Sequence, residues 1–394
     1  MNVIRFLRKV YHRMAIIRYA CQGAFRRSKF KNNIRDIKWS LRFTKNEFVP
    51  FGWKWDEKIG ETSPYFRKFG FCVPMKYSDL FSRWSGIRSD RYMSMDLYFF
   101  YVCPALNHRE YMYALTDKNF FDRLFHEVKQ PQTVVKNWHG VWYDENNNII
   151  DVSTAINLVR KGCSDGLIIK PTFCTACGKG VQLLDKNCLL PRLFDSYRQN
   201  FIVQHMVKQH KDMACLNPTS LNTIRVYSYR NSRGVIQILD ECNVVRIGGK
   251  GAVCDNAHSG GLFAAINGSG VMSNCLYRIK DATKYDIKMH LGLSQFRVPN
   301  FELVKAFVLK LHDLIPMFDF VGWDVALDEE GMPVFVEFNV TAAPDLFQMA
   351  HGPLSDDVLD DVMTRVSRVR SHFICGFQYI FENGGRFGVG NEYY

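Results

Sequence analysis

The sequence predicts an α+β protein of two to three structural units behind a basic amphipathic N-terminal helix. Three observations carry that prediction. The chain has 394 residues, 47% of them hydrophobic, which is enough for a sizeable core and too apolar for a disordered or low-complexity chain. Strand-like and helix-period segments alternate along it without internal repeats. Its net charge of +12 is concentrated at one end.

Residues 1–45 contain 13 Lys/Arg and one acid, Asp36, so they hold the whole charge surplus and leave a neutral body. Within them, Ile4, Leu7, Val10, Tyr11, Met14 and Ile17 fall on one side at helical spacing, with Arg5, Arg8, Lys9, Arg13 and Arg18 mostly away from it. Such a helix suits an anionic membrane surface, where each basic residue contributes on the order of 1 kcal/mol. The other reading is a helix packed on the body with a solvated basic face. Nucleic acid is not expected as a partner, because the body carries no basic surplus to extend a footprint. No apolar run is long enough to span a bilayer, and the early arginines interrupt any secretory h-region. With the 12 cysteines dispersed, reduced thiols in a cytoplasmic setting are expected, at most peripheral to the inner membrane face. Cys174 and Cys177 form half of a zinc-like spacing that nothing completes.

Residues 46–115 are aromatic-rich and offer no chemical motif; Leu97–Leu106 is expected to be a buried strand. Thr116 or Asp117 would cap a helix over FFDRLFHEV, followed by a short strand near Pro131–Val135 and a turn at Asp144–Asn148. A helix around Ser153–Lys161 leads to a buried strand, Gly166–Lys170, then a loop to Gly180 and a second strand at Val181–Leu184. Residues 301–315 read as the clearest helix, with Leu303, Val304, Phe307, Val308, Leu311, Leu314 and Ile315 on its apolar face. The glycine-rich tail beyond Phe377 is expected to fray.

The most informative segment is Phe320–Asn339, two alternating strands around the turn Asp328-Glu329-Glu330-Gly331. A regular hairpin pairing Leu327 with Met332 would set Asp324 opposite Phe335. It would place Asp324, Glu337 and Asn339 on one face, with Val325, Leu327, Val334, Val336 and Phe338 on the other. Carboxylates on strands that otherwise read as buried need a counter-charge. A hard divalent cation such as Mg²⁺ supplies one, and usually shares its oxygen ligands between carboxylates and nucleotide phosphates. The alternative is a solvated outer face.

An Asp followed thirteen residues later by Glu-x-Asn on adjacent antiparallel strands resembles the metal-binding signature of the ATP-grasp superfamily. Upstream, Ser220–Val226 (SLNTIRV), Asp255-Asn256 and Gly260-Gly261 resemble more specifically the sugar-transfer-associated ATP-grasp proteins of polysaccharide biosynthesis loci. The resemblance covers roughly residues 110–350. It implies an ATP-grasp fold in which a lid (126–207) and a catalytic unit (208–375) clamp ATP, with segments 1–45 and 46–125 before them and a tail, 376–394, after.

By the same resemblance, Lys118 and Lys170 would neutralise nucleotide phosphates, and the loop bearing Gly178 and Gly180 would turn backbone N–H groups toward them. Gln204, His205 and Val207 would line the adenine hinge. Arg225 and Arg246 would serve catalysis at a γ-phosphate or acyl phosphate, for which the guanidinium fork is suited. Asp324, Glu337 and Asn339 would hold Mg²⁺ or, in its place, Mn²⁺. Asn222, Thr223, Asp255, Asn256, Gly260 and Gly261 would face substrate. The implied activity is ATP-dependent carboxylate–amine ligation through an acyl phosphate, in capsule or other surface polysaccharide synthesis. The alternatives are phosphoryl transfer to a sugar hydroxyl and a non-catalytic membrane-associated scaffold.

The N-terminal charge yields a direct expectation. Full-length protein should float with anionic liposomes and a chain lacking residues 1–45 should not; equal flotation of both would remove the membrane role.

Overall fold

The computed structural model describes residues 61–71, 73–172, 180–184, 188–252, 255, 257 and 260–370. The expected basic helix, the tail, the Cys174–Cys177 pair, Gly178 and Asn256 lie outside the described residues.

The strands form two antiparallel sheets. The first, ordered β3-β2-β1-β6-β4-β5, draws on Thr133–Trp138 (β1), Val141–Asp144 (β2), Ile149–Ile150 (β3), Leu167–Pro171 (β4), Gln182–Leu184 (β5) and Phe201–His205 (β6). The second comprises Thr223–Arg230 (β7), Ile236–Ile238 (β8), Val244–Ile247 (β9), Leu262–Ala265 (β10), Cys275–Arg278 (β11), Thr283–Asp286 (β12), Phe320–Leu327 (β13) and Pro333–Asn339 (β14). Its order is β12-β11-β10-β9-β7-β13-β14, with β8 paired to β7.

Seven helices matter to the packing. Met75–Ser85 (α1) ends in Gly86 at φ 81°, the left-handed cap that glycine adopts without a Cβ clash. A helical run over residues 95–106 (α2) joins Met95–Leu97, a π-turn at Tyr98–Val102, and Cys103–Leu106. Val152–Gly162 (α3) is capped by Asp151, and Leu190–Tyr197 (α4) starts with proline in its first turn. Phe301–Asp313 (α5), Asp345–Ala350 (α6) and Asp356–Arg370 (α7) complete the set.

Leu97–Leu106 is therefore helical, not the expected strand. Its all-apolar composition fits either conformation when both sides are covered, and Pro104 falls just past the π-turn, where the helical hydrogen-bond register changes. Downstream, Asp117 caps as expected, its carboxylate accepting from the Asn119 amide at 2.9 Å. The helix it opens is short, a 3₁₀ turn at Lys118–Phe120 followed by Phe121–Leu124. On α5, Val304, Val308, Leu311 and Ile315 are buried, but Leu303 and Leu314 are 46% and 42% exposed. Phe301 takes the core place that Leu303 was expected to hold, because the helix begins one residue past Asn300 and turns its first residue inward.

The first sheet packs Val135, Leu167, Ile169, Phe201 and Val203 against Ala155 and Val159 of α3 and Phe194 of α4. The second is covered on both faces. One face buries Ile224, Val226, Val245, Val321, Trp323 and Val325 against α5 and Phe121 and Phe125. The other buries Tyr227, Tyr229, Val244, Phe263 and Phe320 beneath residues 65–106, α6 and α7. The aromatic-rich segment thus forms a layer over the second sheet. Asn107 locks it there: its amide Nδ2 donates to Phe320 O and Val340 O, while Oδ1 accepts from the Asp319 and Phe320 amides.

Between the sheet and α5 lies a buried polar chain. Trp323 Nε1 donates to Ser228 Oγ at 2.7 Å, Ser228 Oγ lies 2.6 Å from His312 Nδ1, and His312 Nε2 lies 2.8 Å from Phe318 O. Burial pushes the His312 imidazole down to about 4. His351, bonded to Asn243 O, is also pushed down by burial. A histidine with a depressed folded-state pKa is protonated first in the unfolded chain, so both destabilise the fold as pH falls below about 6.5. For His312 the loss should run to about pH 4, at a slope approaching 1.4 kcal/mol per unit. Urea titrations between pH 7 and 4.5 should show this decline and its flattening in His312→Gln; an unchanged slope would contradict the neutral buried imidazole.

Candidate active site

The site occupies one face of the second sheet, and side-chain alternation places it there. On β7, Arg225, Tyr227 and Tyr229 share a face; on β13, Phe320, Gly322 and Asp324 share it; on β9, Val244 and Arg246 do. Tyr227, Tyr229, Phe320 and Val244 carry the apolar half under the helices. Arg225, Arg246 and Asp324 continue the same rows as the polar half.

The hairpin supplies the carboxylates through a register that differs from the regular one. Leu327 pairs with Pro333, Val325 with Phe335, and Asp324 with Glu337, so Val336 is an extra residue in a β-bulge. Asp324 faces Glu337, not Phe335. The bulge lets Phe335 and Phe338 both enter the core around Trp323, where a regular strand would turn them to opposite faces. Val336 consequently does not join Phe338 in that core. Glu337 and Asn339 still share the face of Asp324, as the alternation required.

Asp324 is 1% exposed and its partners are geometrically specific. Arg225 donates from Nε to Oδ1 at 2.5 Å and from Nη2 to Oδ2 at 3.0 Å, while Arg246 Nη1 lies 3.2 Å from Oδ2. Arg246 also reaches Asp255, with Nη2 to Oδ1 at 2.6 Å and Nε to Oδ2 at 3.4 Å. Asp255 Oδ2 further accepts from Thr223 N at 2.8 Å and from Thr223 Oγ1. Lys118 Nζ stands 3.0 Å from Glu337 Oε2. Three carboxylates thus meet three cations, as burial of charge demands.

Burial raises the Asp324 carboxyl, and the guanidinium groups of Arg225 and Arg246 offset that only in part. Burial would raise Glu337 too, but Lys118 beside it overrides this and holds it well below the usual carboxylate range. The neighbouring acids hold Arg225 and Arg246 fully cationic against the opposing effect of burial.

Gly322 makes this arrangement fit. A Cβ there would come within 2.6 Å of Ala342 Cβ, 3.2 Å of Arg225 Cδ and 3.5 Å of Tyr227 Cε1. The bare backbone leaves room for the Arg225 stem to lie across β13 and reach Asp324.

The other expected residues fall into three places. Lys118 and Lys170 belong to the first-sheet side: the Lys118 amide donates to Thr172 O, two residues past Lys170, and Lys170 on β4 is buried. Gly180 follows in the same loop at φ 75°, where a Cβ would lie 2.9 Å from Pro171 Cγ. On β6, Gln204 is buried, donating to Pro131 O at 3.1 Å and Thr133 Oγ1 at 3.3 Å, and its Oε1 has no hydrogen-bond partner among the described residues. The His205 amide is bonded to Gln132 O, and Val207 lies just past the strand.

In the third place, Asn222 is fully buried, its amide donating to Gln209 Oε1, Met213 O and Asn217 O. That spends the side chain on holding the loop before β7. Asn217 in turn fixes the Gly248-Gly249 turn, donating to both carbonyls. Gly260 and Gly261 lead into β10, with Gly260 at φ 99°.

Lys136 on β1 was not anticipated. It is 1% exposed and donates to Asp122 Oδ2 at 2.5 Å, Asn147 Oδ1 at 2.6 Å and Asn119 O at 3.3 Å. Burial lowers its pKa while Asp122 opposes the shift. It pairs across the sheet with Ile202, which pairs with Lys170, so both lysines share the face turned away from α3 and α4. The segment TVVKNW does not announce it, because the groups that enclose Lys136 come from residues 119, 122 and 147.

A hard cation fits the residues at the hairpin. Asp324 and Glu337 pair across the strands and Asn339 lies beside them, its amide oxygen a suitable ligand and its Nδ2 buried with no hydrogen-bond partner among the described residues. Among the described residues no group of three or more His, Cys, Asp or Glu could hold a metal ion unaided. A cation here would depend on two carboxylates, the amide and oxygens brought by a ligand, the usual arrangement for Mg²⁺ with phosphates.

Residues 193–363 match the family model described as sugar-transfer associated ATP-grasp, so the chain resembles the ATP-grasp superfamily, as the motif order implied, and its fold is of that type. No curated protein matches. Among solved structures, the ATP-grasp ligase PsnB complexed with minimal precursor, Mg and ADP is similar at 14% identity and a TM-score of 0.39. That match covers 67% of this chain and 62% of PsnB. D-alanine–D-alanine ligase from Bacillus anthracis matches at 12% identity and 0.35, over 66% and 69% of the two chains. D-cycloserine synthetase DcsG matches at 13% and 0.38, over 64% and 70%. Likenesses at this level say nothing of substrate or chemistry.

Gly322→Ala tests the packing of the site. It should destabilise the protein by about 1–3 kcal/mol, the usual cost of overpacking, as the new methyl pushes on Ala342 and Arg225. A variant with unchanged melting temperature would show that the strand yields at no cost.

Proposed function

We propose that the chain is an ATP- and Mg²⁺-dependent carboxylate–amine ligase that works through an acyl phosphate. The observation that carries this reading is the cross-strand pairing of Asp324 with Glu337 beside the buried Arg225 and the partly buried Arg246, on the sheet face met by Lys118. The match to an ATP-grasp family supports the nucleotide. Asp324, Glu337 and Asn339 would hold the divalent cation, which when bound would neutralise charge on the transferred phosphoryl group.

The protein groups divide the remaining work. Lys118 and Lys170 supply point charges suited to phosphate oxygens. Asp324 engages two of the five N–H groups of Arg225, fixing the guanidinium plane. Fixed in this way, Arg225 and Arg246 can bind the acceptor carboxylate and the γ-phosphate without reorganising at the moment of transfer. A carboxylate oxygen attacks the γ-phosphorus and the bond to ADP breaks. The amine then attacks the acyl carbon, phosphate leaves, and the amine proton is lost to solvent. The buried half of the face keeps water from the anhydride. On this reading the first sheet is the lid and the second the catalytic unit, and the Gly260-Gly261 turn with Asp255 borders the acceptor.

The setting we propose is surface-polysaccharide synthesis, with an amino acid joined to a sugar acid as the reaction class; the sugar-transfer association in the matched family's description supports a sugar-linked substrate. In that setting residues 1–45 would hold the enzyme near lipid-linked intermediates.

ATP-to-ADP turnover screened over amino acids and sugar acids should identify a pair that stimulates hydrolysis, with hydroxylamine trapping a hydroxamate. Glu337→Gln should lower that turnover by about 100-fold or more, the scale set by removing one charge-stabilising group. Stimulated turnover without hydroxamate would point to phosphoryl transfer to a hydroxyl. Turnover unaffected by Glu337→Gln would remove the metal assignment.

A further inference from the structure

The cations at the site are held in two ways. Arg225 grips Asp324 with two donors, and Arg246 spans Asp324 and Asp255. Among the described residues, Lys118 meets Glu337 through one contact of 3.0 Å, at the end of a four-carbon stem. Its backbone lies in the 3₁₀ turn Lys118–Phe120, whose hydrogen bonds run to the first-sheet side, although Phe121 and Phe125 just beyond it pack on the second sheet. The Lys118 amide donates to Thr172 O, and next to it Asn119 Nδ2 donates to Asn137 O and Thr172 Oγ1. The Lys118 side chain therefore reaches across to a carboxylate on the second sheet while its main chain is fixed to the first. It can let go of Glu337 by side-chain rotation, with no change in how its segment is anchored.

On the nucleotide-site reading above, we propose that Lys118 is a placeholder for the divalent cation and is exchanged out when nucleotide and metal enter together. In the nucleotide-free protein the ammonium occupies the Glu337 carboxylate, so a metal ion arriving alone must compete with a charge already in place. It gains little, because displacing Lys118 would leave that ammonium without its anion in a mostly buried position. A nucleotide changes the balance by offering phosphate oxygens to Lys118 at the moment Glu337 is released. Charge is conserved across the exchange: one carboxylate passes from a monovalent to a divalent partner, and the lysine passes from carboxylate to phosphate. The consequence is strong positive coupling between metal and nucleotide, which suppresses metal binding without nucleotide. By linkage the coupling is reciprocal. The two sheets are bridged by an ion pair before nucleotide binds and by the nucleotide afterwards.

Mn²⁺ binding to the full-length protein, followed by the electron paramagnetic resonance of the free ion with and without ADP, reads the exchange directly. The wild-type protein should bind Mn²⁺ alone weakly and bind it far more tightly with ADP. Lys118→Met should bind Mn²⁺ alone about tenfold more tightly or better, a difference of about 1.4 kcal/mol, and lose most of the enhancement by ADP. Lys118→Gln repeats the neutral replacement should the methionine not fold, and Lys118→Arg, which keeps the charge, should bind metal alone as weakly as wild type. Folded Lys118→Met or Lys118→Gln binding Mn²⁺ no more tightly than wild type would overturn the exchange, as would Lys118→Arg binding it as tightly as the neutral variants. Tight Mn²⁺ binding that persists in Lys118→Met/Glu337→Gln would place the metal elsewhere and take down the site assignment itself.

Discussion

A carboxylate with almost no access to water imposes most of the order in the second sheet. Asp324 sits on β13, one strand in from the edge of an eight-stranded sheet covered on both faces, where an isolated charge would cost far more than one side chain's packing returns. The strands on either side supply what it needs: Arg225 directly across β7, Arg246 one strand further, and Glu337 across β14 with its own cation from the other sheet. Removing one partner of such a set costs about 3–5 kcal/mol, because the other charge is left behind. Alternation, the absence of a side chain at Gly322 and the displaced register of β14 all converge on keeping these groups together.

Much of this could be read from residues. The hairpin around Asp328–Gly331, the strands at Thr223 and Val244, and the helix at 301–313 each carry a pattern long enough for periodicity to decide. The acids at 324 and 337 stood out because they interrupt strands that otherwise read as buried. The register did not follow, because a bulge is a local exception that alternation cannot announce. The need to bury Phe335 and Phe338 on the same side selects it, and that need belongs to the core as a whole. Leu97–Leu106 was misassigned for a related reason: ten apolar residues covered on every side say nothing about which backbone carries them.

Other features depend on partners remote in sequence. Lys136 became legible only once Asp122 and Asn147 were seen to enclose it, and Asn222 only once its amide was traced to three groups in the preceding loop. A polar side chain looks the same in a sequence whether it faces a ligand or holds a loop. Where its hydrogen bonds go is a property of the fold.

The grip of Asn107 on both ends of the hairpin bears on how this protein could be divided. The family match begins at residue 193, yet the backbone groups of Phe320 and Val340 are satisfied from residue 107, and the aromatic half of the sheet face that carries Asp324 is roofed by residues 65–106. Cutting the chain at the start of the matched segment would strand those backbone groups and open a broad apolar surface to water. The recognisable segment is thus a unit of kinship rather than of folding. Transplanting this cluster of charges onto another scaffold would mean carrying its roof along with it.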